Sequence, residues 1–264
     1  MSNSRRRETG LPSSGLLAAI ALALLGFSGG MAAAREPTIP LSELPGLGPQ
    51  DPRGPVDGSA MPWAALGRVQ TELGLRCTGT LIGPRTVLTA AHCLVAPRSN
   101  RFVQPSSVHF LLGYRQGSWK AQARAVAMQI GPGFDARTRL PHGADWALLT
   151  LDTSLGRAEG RLPLLREIPP QTPLMLGGYQ QDRPELLMAD IECRALGMMR
   201  RDDRILLVHS CGGTRGASGA PLLARDPGGG WAVAGVAVAM ARREALGVAV
   251  PAIAVRQDRE QSAD

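Results

Sequence analysis

From Pro62 onward the chain is a succession of short apolar, β-branched-rich runs separated by Gly, Pro, Asp and Ser. Six of them occupy 64–70, 75–82, 85–90, 107–113, 121–130 and 145–151. A proline-rich stretch at 163–173 intervenes, and six more follow at 173–178, 186–196, 204–209, 219–224, 231–240 and 247–254. Helical periodicity is missing from this part, apart from a short turn at 90–94 and a charged C-terminal tail. Many short strands punctuated by turn residues predict an all-β sandwich or barrel. Two equal sets about a proline-rich joint predict two β-barrels, one over 62–160 and one over 161–264.

The N-terminus has a different texture. Arg5, Arg6 and Arg7 precede an uncharged apolar run, Leu16 to Phe27, and the small residues Ala32, Ala33 and Ala34. That is the layout of a secretory signal peptide over residues 1–34. The run is short for a membrane span, although 15–34 taken whole is uncharged, so an uncleaved anchor is the minority alternative. Arg6-Arg7 leaves Sec and twin-arginine export both open. Residues 35–61 carry six prolines and read as a linker, an extended Pro/Gly-rich N-terminal arm or a propeptide.

The chain is 264 residues long and 44% hydrophobic, with 19% charged residues, which suits a globular fold with a sizeable core. Its net charge is +7, and all 29 basic residues but Lys120 are arginine. The arginines are scattered, with no basic stripe and few aromatics among them, so nucleic-acid binding is not expected. The first 34 residues hold three arginines and one glutamate, which leaves +5 on the rest. The expected product is a secreted or periplasmic monomer, with no membrane attachment once the signal is cleaved.

Four cysteines remain: Cys77, Cys93, Cys193 and Cys211. No C-x-x-C occurs, which argues against zinc, and no metal or cofactor is expected. An even count in an exported chain reads as disulfides. Pairing near neighbours gives 77–93 and 193–211, one bridge in each half. Each closes a loop worth about 3 kcal/mol in chain entropy.

Three residues stand at strand edges in chemically suggestive surroundings. His92 ends the stretch CTGTLIGPRTVLTAAHC, which opens at Cys77; Asp145 opens DWALLTL; Ser218 sits in the glycine-rich CGGTRGASGAP. Taken singly, each is more often a packed histidine, a turn aspartate or a surface serine. Together they supply a base, an orienting acid and a nucleophile.

TAAHC, DWALL and GASGAP resemble the three signature stretches of the chymotrypsin-like (trypsin-like) serine peptidases, whose triad runs in this chain order. The resemblance spans Pro62 to Ala254. The stretches PWAALGRV, CTGTLI and HSCGGTRGASGAPLL are most similar to the bacterial, glutamyl-endopeptidase-like branch. It implies two six-stranded antiparallel β-barrels with the active site in the cleft between them. It also implies an endopeptidase acting on proteins or peptides through an acyl-enzyme: His92 as general base and acid, Asp145 as its orienter, Ser218 as nucleophile. The N–H groups of Gly216 and Ser218 form the implied oxyanion hole.

The chain departs from that pattern in places. Ala217 replaces the aspartate that receives a freed N-terminal amine in trypsin-type zymogens, so that switch does not carry over. Val238 stands near a position where a serine often bonds the catalytic aspartate. Gly212 replaces the charged residue of the trypsin pocket, and the strand VAGVAVAM carries no histidine. Gly212, Val238, Met240 and Gly247 are the expected pocket residues, Met240 narrowing it toward small or medium apolar side chains. His109, His142 and His209 are expected to be structural. The competing reading is a catalytically silent binding protein on a protease fold.

Overall fold

The computed structural model describes residues 39–157 and 160–261. The expected signal peptide, 1–34, lies outside the described residues. A two-residue strand, β1 (Gly54–Pro55), precedes two sets of six strands, and every strand pairing is antiparallel. The first set is β2 (Leu66–Thr71), β3 (Arg76–Leu81), β4 (Thr86–Thr89), β5 (Val108–Leu112), β6 (Ala121–Ile130) and β7 (Ala147–Leu151). It closes in the order β2-β3-β4-β7-β6-β5. Closure leaves no open edge, and the period of two puts alternate side chains inside. In β6, Ala123 and Ala125 are buried while Arg124 and Val126 face out.

The second set is β8 (Pro173–Gln180), β9 (Arg183–Arg201), β10 (Arg204–His209), β11 (Pro221–Arg225), β12 (Trp231–Met240) and β13 (Gly247–Pro251). Its order is β1-β9-β10-β13-β12-β11-β8, and β8 pairs back onto β9, so these six strands also close on themselves. The first barrel is filled by Val69, Leu81, Leu88, Phe110 and Leu149, the second by Leu174, Leu176, Leu207, Leu222 and Ala249. Each such leucine contributes about 2 kcal/mol by leaving water. The two-barrel architecture read from the twelve runs is the one observed.

Three features differ from the sequence reading. The β9–β10 hairpin runs on to a turn at Asp202-Asp203, both at positive φ, well past the predicted strand end at 196. Residues 252–254, read as strand, begin a helix, α1 (Ala252–Gln261), which buries Ala252 and Val255. The arm is not peripheral: Leu44 and Leu47 are buried, Gly54 and Pro55 pair with Ala189 and Met188 of β9, and the Arg53 side chain is fully buried. Its proline content obscures this, because the arm packs through single residues without any periodic pattern.

Candidate active site

Strands β4 and β7 bring two of the predicted residues to one place. Thr89 of β4 lies opposite Ala147 of β7. His92 follows three residues later in a 3-10 turn, Ala91–Leu94, and Asp145 precedes by two. In an antiparallel pair both therefore emerge at the same end. Asp145 is buried and its two carboxylate oxygens are both taken by His92. The backbone N–H of His92 donates to Oδ1 at 2.9 Å, and Nδ1 lies 2.7 Å from Oδ2. An ionised carboxylate only accepts, so Nδ1 carries the proton and Nε2 is left with its lone pair. This clamp orients Asp145 without the serine that Val238 replaces.

Ser218 comes from the loop between β10 and β11, and the first barrel holds that loop. The Thr78 N–H donates to the Ser218 carbonyl at 3.0 Å. The next residue, Gly219, has φ +78°, and a Cβ there would strike Thr89 Oγ1 and the Thr78 carbonyl and come within 2.8 Å of the Ala90 nitrogen. Only glycine permits this approach to the turn that carries His92. The Cys77–Cys93 disulfide joins β3 to the same turn, with its sulfurs and a ring nitrogen of His92 all within 4.8 Å. Both sulfurs are oxidised, so this cluster offers no thiolate to a metal. The second disulfide joins Cys193 to Cys211, and both pairings are those expected.

The loop leaves the Gly216 and Ser218 N–H groups, on either side of Ala217, open. The N–H groups of Thr214, Ala217, Gly219 and Ala220 all find acceptors, whereas those of Gly216 and Ser218 make no hydrogen bond among the described residues. The conformation is held from behind by side chains that the sequence does not single out. Thr78 Oγ1 donates to the Gly216 carbonyl at 2.9 Å and accepts the Tyr179 N–H at 2.9 Å. Gln180, fully buried at the end of β8, accepts the Thr214 N–H through Oε1 at 2.7 Å. Arg53 donates to the same oxygen at 2.7 Å and grips Asp51 and Asp182 through paired bonds of 2.8 to 3.0 Å. Burial opposes both charges of the Arg53–Asp51 pair. Their mutual hydrogen bonds outweigh it, holding the Asp51 carboxyl below the usual carboxylate range and raising Arg53. Thr78 could have been singled out as the neighbour of Cys77; Arg53 carries no sequence signal.

A pocket of about 230 Å³ adjoins Ser218. Val238 and Met240 line it, with Thr214, Ala217 and, from the arm, Pro45. The structure places Gly212 and Gly247 outside this lining. Gly212 donates its N–H to Asp190 Oδ2 at 2.7 Å, and Pro52 covers it. A Cβ on Gly247 would come 2.5 Å from Met240 Sδ and 2.7 Å from His209 Nε2, so Met240 and His209 take up that space. Among the described residues no carboxylate lines the pocket, and Arg215 is its one charged side chain. His209 is fully buried, and burial pushes its imidazole down to about 4, so it is neutral. His142 carries a buried Nδ1 with no partner among the described residues, and His109 faces Glu72 at 3.6 Å.

The fold and the sequence both have relatives. Residues 54–258 match the Trypsin family. Serine protease 56 of Homo sapiens is 31% identical over 204 residues, covering 66% of this chain and 32% of that protein, so the chain spans about a third of its length. A solved Glu endopeptidase in complex with MPD superposes with a TM-score of 0.65 at 19% identity, over 83% of this chain and all of that one, which speaks to the fold. With two antiparallel six-stranded barrels and a family match across both, the chain belongs to the trypsin family of serine peptidases.

Proposed function

We propose that this chain is an exported serine endopeptidase with Ser218 as nucleophile, His92 as general base and acid, and Asp145 as the residue that orients His92. The observation that carries the reading is the His92–Asp145 pair, closed at 2.7 Å at the edge of the loop bearing Ser218. In the acylation step Ser218 Oγ attacks the scissile carbonyl carbon and its proton passes to His92 Nε2. Asp145 holds the tautomer and stabilises the imidazolium. Charge collects on the carbonyl oxygen, and the open N–H groups of Gly216 and Ser218 are the donors for it. Each such donor lowers the barrier by about 3 kcal/mol. The C–N bond then breaks as His92 returns the proton to the departing amine. Water, deprotonated by His92, attacks the acyl-enzyme and releases the carboxylic acid and Ser218.

The apolar pocket beside Ser218 takes the side chain on the acyl side of the bond. Its lining of Ala217, Val238, Met240 and Pro45 favours small or medium apolar side chains, and Arg215 at its wall disfavours Arg and Lys. Export is supported by the two disulfides, which persist in oxidising compartments. Among the described residues no helix is long and apolar enough to cross a membrane.

The test is a peptide library incubated with the purified chain and with Ser218→Ala, read by mass spectrometry. Cleavage by the wild type alone, after Ala, Val or Leu, is the expected result. Equal cleavage by the variant, or none by either, contradicts the reading. A preference for Arg or Lys contradicts the pocket assignment.

A further inference from the structure

We infer that a second recess beside Gly216 binds a carboxylate on the leaving-group side of the scissile bond, so that the enzyme selects substrates acidic just after the cut. This rests on the roles given above to Ser218 and Gly216. The recess has a volume of about 280 Å³ and meets the same loop as the apolar pocket, at Arg215 and Gly216. Its other walls differ: Arg68 and Arg76 of the first barrel on one side, Tyr179 and Gln181 at the end of β8 on the other. Ser218 lines the apolar pocket and Gly216 lines the recess. A substrate whose carbonyl oxygen meets the Gly216 and Ser218 N–H groups, with its acyl side chain in the apolar pocket, therefore directs its departing segment to the recess.

The charge of the recess is of one sign. Arg76 and Arg215 are exposed, and among the described residues neither forms an ion pair or a hydrogen bond through its guanidinium. Beneath them Arg68 is buried and differently engaged. It stacks 3.5 Å over the Tyr114 ring, donates to Gln70 Oε1 at 2.8 Å, and reaches Glu185 only at 3.4 Å. Glu185 in turn accepts the Tyr114 hydroxyl, so this carboxylate is already shared. Arg76 and Arg215 remain as two free guanidinium groups lining the recess, beside Arg68, whose charge Glu185 partly offsets. Arginine forks match a carboxylate in two parallel bonds, and a cleft walled by one sign of charge concentrates ligands of the other. The partner chemistry is a carboxylate within the first two residues after the scissile bond. An Asp or Glu side chain supplies it, and so does a free C-terminus.

The test uses internally quenched peptides with Ala, Val or Leu before the cut and Glu, Gln or Lys after it, each with an amidated or a free C-terminus. The wild type should cleave the amidated Glu peptide about tenfold faster in kcat/KM than the Gln peptide at low salt, the scale of two exposed ion pairs. That ratio should fall toward one in 0.5 M salt, on the order of a few-ångström screening length. Arg76→Gln and Arg215→Gln should each reduce the ratio, and the double variant should abolish it. Because the ratio is internal to each protein, a smaller active fraction does not alter it. An advantage seen only with free C-termini also supports the recess and identifies its ligand as the terminal carboxylate. Glu and Gln peptides cleaved equally by the wild type with no gain from a free C-terminus, or a carboxylate advantage unmoved in the double variant, overturns the inference while leaving the endopeptidase reading intact. If no peptide is cleaved, the reading falls and the inference with it.

Discussion

Arg53 and Thr214 share one acceptor: the guanidinium of the first and the backbone N–H of the second both donate to Gln180 Oε1, each at 2.7 Å. The arm thereby reaches the loop that bears Ser218 through a buried amide, and directly where the Gly213 N–H donates to the Gly46 carbonyl at 3.0 Å. Removing Arg53 leaves Asp51 and Asp182 without the guanidinium that grips both. Arg53→Met is expected to destabilise the fold by about 3 to 5 kcal/mol, the cost of breaking a buried charged network. Chemical denaturation of the two proteins measures it. A change within about 0.5 kcal/mol, the range of a surface substitution, would show that the arm is not part of the folded unit.

Gly216 sits at φ +94°, and a Cβ there would strike the Tyr179 carbonyl. Gly216→Ala must twist the loop and turn the Gly216 N–H away from its direction. The expected effect is a loss of about 100-fold in kcat with little change in KM, since the donor acts on charge that appears only in the transition state. Steady-state kinetics on one cleaved peptide checks this. A loss in KM alone would place Gly216 in ground-state binding.

His209 supplies a pH dependence of stability. Its Nδ1 accepts the Cys211 N–H at 3.2 Å, its Nε2 has no partner among the described residues, and burial lowers its pKa from 6.5 to about 4. The unfolded chain therefore binds the proton more readily than the folded one. The stability contributed by the neutral ring is complete above pH 6.5 and is lost as pH falls toward about 4. The loss is on the order of 3 kcal/mol. Urea midpoints across this range should fall more steeply for the wild type than for His209→Asn, whose amide oxygen can accept the Cys211 N–H. Parallel profiles would mean that His209 protonates without penalty.

Much of this architecture is legible in the chain because barrel strands alternate. Runs such as AQARAV show their two faces directly, and the TAAHC, DWALL and GASGAP stretches mark the ends of strands that converge. What the sequence hides is packing by isolated residues. Leu47 and Arg53 lie in a proline-rich stretch with no period to betray them, yet both are buried. The residues AIA after β13 read as strand because their burial is set by a helix that buries Ala252 and Val255, only one turn apart. The β9 hairpin continues through Met198 and Met199, which are exposed, so no apolar face announces it. The pocket wall was half legible. Val238 and Met240 follow from strand direction, but Gly212 is diverted by Asp190, a partner 22 residues away that spacing does not reveal.

The proposed nucleophile is Ser218, activated by His92 and Asp145. A fluorophosphonate probe tests it directly, because the reagent phosphonylates only a serine whose proton is being removed. Intact-mass and peptide mapping should find one adduct per chain, on Ser218, absent in Ser218→Ala. In Asp145→Asn the labelling rate should fall by about four orders of magnitude, as expected when the histidine tautomer is lost. A wild-type protein that is folded by circular dichroism but takes up no label, or that is labelled at another residue, would contradict the account.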